Sequence, residues 1–264
     1  MCIRDRSLLG GNDFVDASSG NDVIKGGNGN DQIIGGYGND RLFGGNHNDI
    51  LEAGFGNDLL FGGNGNDNIN GGLGNDRIVG GSGIDTVLFS SRNNIINLGS
   101  SSRQDTGDGK DTLKEIENVN GGEGNDIITG NTFANHLNGE SGNDRLIGGS
   151  GNDRLNGGSG NDRLNGGSGN DRLFGGNKND RLSGSNGSDL LFGGNGIDRL
   201  TGGIGNDTLT GGGGNDIFQI KSGVGRDVIT DYTSGEDKIK LLGGLTDNDL
   251  TFSYVGGHKR IKDD

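Results

Sequence analysis

An aspartate returns at every ninth residue along most of this chain. It stands at Asp13, Asp22, Asp31, Asp40, Asp49, Asp58, Asp67, Asp76 and Asp85. After a gap it resumes at Asp126, then at Asp144, Asp153, Asp162, Asp171, Asp180, Asp189, Asp198, Asp207 and Asp216. One beat, Asn135, lacks the carboxylate. A period this regular makes each nonapeptide a structural unit stacked on copies of itself, which restricts the chain to a repeat architecture. Residues 8–88 hold nine units and residues 121–219 hold eleven.

The phase of the other residues separates structure from mere bias. Of the 20 units, 17 begin with Gly, 17 have Gly fourth, 16 have Asn fifth and 19 have Asp sixth. The eighth residue is Leu, Ile, Val or Phe in all 20, which a disordered glycine-rich linker would not maintain. Gly and Asn take positive φ most readily, so GGxGN reads as a tight turn. The next three residues, such as Arg154-Leu155-Asn156, read as a short strand whose middle side chain faces inward. With two nonapeptides per coil, Leu146, Leu164, Leu182 and Leu200 line one sheet, and Leu155, Leu173, Leu191 and Leu209 line the facing one. Arg145, Arg163, Arg181 and Arg199 stack outward at the ~4.8 Å strand spacing, where mutual repulsion is expected to tilt each toward a neighbouring aspartate.

Charge and motif content narrow the function. The formal charge is −14, which argues against nucleic acid or an anionic membrane as partner and points to cations. No apolar stretch approaches the ~18 residues of a spanning helix. There is no HExxH, GxSxG or P-loop motif, so the chain is expected to be non-catalytic in itself. The histidines, His47, His136 and His258, are scattered, and His47 reads as an exposed loop residue. The position-six aspartates supply 19 of the 37 acidic residues, and stacking would bring them within one strand spacing of each other. A cation between coils converts that repulsion into coordination. Calcium suits such a row because it accepts six to eight oxygen ligands in flexible geometry. Magnesium demands a stricter octahedron, and zinc or copper favours His and Cys. One aliphatic side chain per nonapeptide returns far less than the ordering of nine residues costs, so metal ligation is expected to drive folding.

The pattern GGxGxDx(aliphatic)x, seen in GGYGNDRLF from Gly35 and GGSGNDRLN from Gly148 and Gly157, resembles the RTX (repeats-in-toxin) family of bacterial exoproteins. The resemblance implies an all-β fold, a right-handed parallel β-roll with two nonapeptides per coil. It also implies several Ca2+ ions, shared between turns two units apart and held by the position-six aspartates and glycine-turn carbonyls. Asp227 and Asp237 would reach calcium in the closing segment. It further implies a secreted, extracellular protein, exported by type I secretion machinery and folding in calcium-rich surroundings. The parent is left open between an exoenzyme (protease or lipase) with its catalytic domain elsewhere and an adhesin using the roll as a spacer.

The remaining segments are read as follows. Residues 1–7 contain MCIRDR, which matches an in-frame translation of a sequencing adapter and includes the single cysteine, Cys2. Residues 8–88 form the first array, 89–120 a degenerate connecting segment with one turn, GDGKDTL, centred on Asp111 and a Ser-rich loop at 99–102, and 121–219 the second array. Residues 220–264 are expected to cap the roll. The ending HKRIKDD lacks a final apolar run, so a truncated chain or a divergent export signal is expected. His47, Lys178 and Phe133 replace the fourth Gly and are expected to fit the turn poorly, Phe133 worst. The Asn135 unit is expected to hold a coil without a full site.

Overall fold

In a computed structural model, the backbone is described for residues 5–8, 10–90, 92–221, 225–246, 250–255 and 258–263, and side chains between residues 8 and 246. Residues 1–4 of MCIRDR and the side chains of HKRIKDD lie outside the described residues. The described residues contain strands and turns but no helix, and the strands stack in parallel as a β-solenoid. The chain divides into two compact units, Met1–Gly122 and Glu123–Asp264.

In the first unit, one sheet stacks Asp5–Ser7, Val23–Asn28, Arg41–Asn46, Leu59–Asn64, Arg77–Ser82 and Lys110–Lys114 in parallel. The facing sheet stacks Phe14–Asp16, Gln32–Tyr37, Ile50–Phe55, Asn68–Asn70, Thr86–Leu88 and Asn118–Asn120. Strands alternate between the sheets because each nonapeptide makes half a coil. In the second unit, Leu146 pairs with Leu164, Leu164 with Leu182 and Leu182 with Leu200. On the other sheet, Leu155 pairs with Leu173, Leu173 with Leu191 and Leu191 with Leu209. Every one of these leucines is 2% exposed or less, so the core is two facing ladders one aliphatic side chain wide.

The strands are longer than the sequence suggests. A typical strand, Arg163–Ser168, runs for six residues through both glycines of the next unit, and Gly167 itself pairs with Gly149. The turn shrinks to the fourth, fifth and sixth positions. Positive φ sits on glycines such as Gly169 (φ 128) and on Ser18, His47, Glu115, Glu140, Lys178 and Ser185, but on no repeat asparagine. The expectation that Asn takes positive φ is therefore corrected. Its side chain instead ties one coil to the next: Asn161 N–H donates to Oδ1 of Asn143 at 2.8 Å, and Asn143 N–H to Oδ1 of Asn125 at 2.7 Å.

The second unit ends differently from its repeats. Ile217–Lys221 pairs in parallel with Lys238–Leu242. On the other sheet, Arg226–Ile229 pairs antiparallel with His258–Asp263, which pairs antiparallel with Leu250–Val255. On this sheet the reversal of direction interrupts the parallel stacking, because a further coil would need another parallel strand.

Candidate metal centre

The position-six aspartates from Asp31 to Asp85 and from Asp144 to Asp216 are drawn inward by the backbone of the coil before them. The N–H of Asp162 donates to Oδ1 of Asp180 at 2.8 Å, and that of Asp180 to Oδ1 of Asp198 at 2.7 Å. The same bond, always eighteen residues apart, links Asp13 to Asp31, Asp22 to Asp40 and Asp49 to Asp67. In the second unit it links Asp126 to Asp144 and Asp171 to Asp189. The repeat aspartates from Asp22 to Asp85 and from Asp126 to Asp216 are all at most 3% exposed; Asp227 and Asp237 are 5% and 8% exposed, and Asp13 is half-buried.

The second oxygen is the unusual one. Oδ2 of Asp31, Asp40, Asp49, Asp58, Asp67, Asp76 and Asp85 is buried without a protein hydrogen-bond partner. The same holds for Asp144, Asp153, Asp162, Asp171, Asp180, Asp189, Asp198 and Asp207. A buried carboxylate oxygen left this way is costly once, and here it recurs in coil after coil. It borders the same small space as a second oxygen. A Cβ placed on Gly175 would sit 2.5 Å from Oδ2 of Asp180 and 2.5 Å from the carbonyl oxygen of Gly193. Gly175 has no positive φ, so the first glycine of the repeat is needed for space rather than for backbone conformation. The cradle consists of one carboxylate oxygen and one carbonyl beside a residue without a side chain. Among the described residues no three His, Cys, Asp or Glu side chains gather, so carbonyls would have to complete any coordination shell.

Where the repeat is broken, the protein supplies the missing donor. Asp111 accepts the N–H of Asp76 on Oδ1 at 2.7 Å, and the Thr106 hydroxyl donates to its Oδ2. Asp237 accepts the N–H of Asp216 on Oδ1 at 2.9 Å, and the Thr233 N–H donates to its Oδ2 at 2.7 Å. At the uncharged beat, Asn131 N–H donates to Oδ1 of Asn135 at 2.8 Å, while the Asn135 N–H still reaches Asp153. At Asn135 both the side-chain oxygen and the backbone N–H are therefore bonded within the protein.

Burial raises the carboxyl pKa values of the repeat aspartates from Asp40 to Asp85 and from Asp144 to Asp216. Asp58, Asp85, Asp153, Asp162 and Asp198 are pushed up to about 6, Asp49, Asp144 and Asp189 to about 7, and Asp76 and Asp180 to about 8. The backbone N–H bond to each opposes the rise. Carboxylates one coil away add to it, as Asp162 and Asp198 do for Asp180. Without a counter-cation the row strongly resists full ionisation.

Besides Asp227 and Asp237, three further residues outside the repeat phase join this arrangement. Asp111 fills the place of the next repeat aspartate across a gap of 35 residues, and the GDGKDTL turn was its signal. Glu117 accepts the N–H of Asp85 on Oε2 at 2.9 Å, with no signal in the sequence because a longer side chain covers a different spacing. Asp231 accepts the N–H groups of Gly211 and Gly212 at 2.9 and 2.7 Å, closing the last glycine turn. Of the substituted fourth positions, His47 and Lys178 adopt the turn at φ 79 and 77. At Phe133 a local bond from its N–H to Oδ1 of Asn131 forms the bend instead. The arginines do not lean onto the aspartates. Among the described residues the ion pair within 4.0 Å is Arg92 with Asp108, because the repeat carboxylates already face the backbone inside the turns.

A family model described as RTX calcium-binding nonapeptide repeat (4 copies) matches residues 9–42, 25–60, 52–87, 120–155, 147–182, 165–200 and 192–218, more than half of the chain. No curated protein matches the sequence.

Proposed function

Because the chain belongs to the RTX calcium-binding nonapeptide repeat family, we propose that it is a non-catalytic module of a secreted protein that folds when calcium fills its turns. The observation that carries this reading is the row of buried Oδ2 atoms without donors, set against the three breaks in the repeat where the chain itself provides one.

In this reading the two oxygens of each carboxylate have separate work. Oδ1 ties its coil to the previous one through a backbone N–H, and Oδ2 faces the ion together with a glycine carbonyl such as that of Gly193. The ligands are the repeat aspartates, with Asp227 extending the row; Asp237 ends it with both oxygens bonded within the protein. Calcium supplies charge compensation, and its tolerance of mixed carboxylate and carbonyl oxygens matches a cradle without a three-carboxylate cluster. Its binding energy is folding energy, since the oxygens converge only after the coils stack. A chain that is unstructured in calcium-poor cytosol and ordered outside suits export by type I secretion machinery to an extracellular location. The same module serves the tail of an exoprotease or lipase and the spacer of an adhesin.

Far-ultraviolet circular dichroism of the chain, in chelator and then in millimolar calcium, tests the reading. A cooperative β-signal is expected with calcium alone, and magnesium at the same concentration is expected to leave the chain unstructured. A chelated chain with the same cooperative β-structure would overturn it.

A further inference from the structure

Calcium in the turns leaves one face of the second unit unexplained. Arg145, Arg163, Arg181 and Arg199 are direct register partners on consecutive strands, so four exposed guanidinium groups run in line at the ~4.8 Å strand spacing. Beyond Ile147, the column beside them carries polar side chains, among them Asn165 and Ser183, and the two columns line a groove of about 420 Å³. None of the four arginines has a carboxylate within 4.0 Å among the described residues. Like charges in line repel, and in a chain of net charge −14 this row is held without local neutralisation.

We propose that this face binds a linear acidic polysaccharide lying along the stack and presenting a charged carboxylate or sulfate on successive sugars. A guanidinium fork pairs with such groups through two parallel hydrogen bonds. Repetition along the stack lets several pairs form along one chain, and the Asn165 amide and Ser183 hydroxyl suit sugar hydroxyls. A nucleic-acid strand fits less well. Single strands are held on aromatic platforms, and no aromatic side chain lines the groove.

The calcium-loaded chain is titrated calorimetrically with a soluble oligogalacturonate, beside a neutral maltooligosaccharide and single-stranded oligothymidylate. Salt-sensitive binding of the acidic oligosaccharide alone is expected. Arg163→Gln with Arg181→Gln is expected to lower the affinity about tenfold or more while the calcium-induced dichroism persists. A folded double variant that binds as tightly as the unaltered chain overturns the proposal, and so does equal binding of the neutral sugar or tighter binding of the oligothymidylate. Should the double variant not fold, Arg163→Lys with Arg181→Lys, which keeps the charge and loses the fork, is read instead; an affinity equal to that of the unaltered chain then overturns it.

Discussion

Asp180 accepts the backbone N–H of Asp162 on Oδ1 at 2.8 Å, while its Oδ2 is buried with no protein donor. The carboxylate is thus half structural and half open, and the two halves are separable by mutation. Asp237, at the end of the row, uses both oxygens within the protein.

Asp180→Asn keeps the amide-accepting oxygen and removes the charge. It is expected to shift the calcium midpoint of folding to higher concentration. Asp180→Ala also leaves the buried Asp162 N–H unpaired and is expected to cost a further ~1–3 kcal/mol in calcium. Calcium titrations followed by dichroism, with thermal melts at saturation, separate the two; identical behaviour of the Asn variant and the unaltered chain contradicts the assignment.

The carboxyl rows predict an acid-favoured fold in chelator. Burial lifts the folded-state pKa values from 3.8 to about 6–8, so the folded chain holds more protons than the unfolded one between those limits. Stability from this source is fully present below 3.8 and is lost as pH rises through about 6–8. Without calcium the β-signal is expected to grow on acidification and fade toward neutral pH. With calcium the dependence is expected to reverse, since ions replace protons and release them on binding. A pH series in chelator showing equal structure across this range would refute the first expectation.

Gly169 holds φ 128, and a Cβ there would run into the carbonyl of Gly151 one coil earlier. Gly169→Ala is expected to destabilise the calcium-loaded chain by at least ~1–3 kcal/mol. Lys178 occupies the equivalent place at φ 77, so Lys178→Gly is expected to stabilise by about 1 kcal/mol. Melting temperatures in saturating calcium check both signs.

Leu173 is fully buried between Leu155 and Leu191, whereas Arg172 beside it is exposed. Leu173→Ala is expected to cost ~2–5 kcal/mol. Arg172→Gln is expected to stay within ~0.5 kcal/mol. Comparable losses in the two denaturation curves would mean that the alternation of faces is wrong.

Much of the fold was legible because it repeats. The invariant aliphatic phase located Leu155, Leu173 and Leu191 on one inner face, and an eighteen-residue coil put Arg145 opposite Arg163. The turn chemistry was less legible. Gly175 looked like a turn former and is instead the open side of an oxygen cradle. Asn143 looked like a positive-φ residue and is a rung between coils. Glu117 falls out of phase and was invisible to any periodic reading.

The sequence alone determined the period, the residue that faces inward in each unit and the excess of acid over base. Those properties arise within one nonapeptide, from side-chain alternation and composition. Only the tertiary structure decided that Oδ1 of Asp180 serves the backbone, that its Oδ2 and the carbonyl of Gly193 both border the space beside Gly175, and that the repeat arginines stand apart from the repeat aspartates. Each of these depends on a partner in another coil, and that partner arrives only when the coils stack.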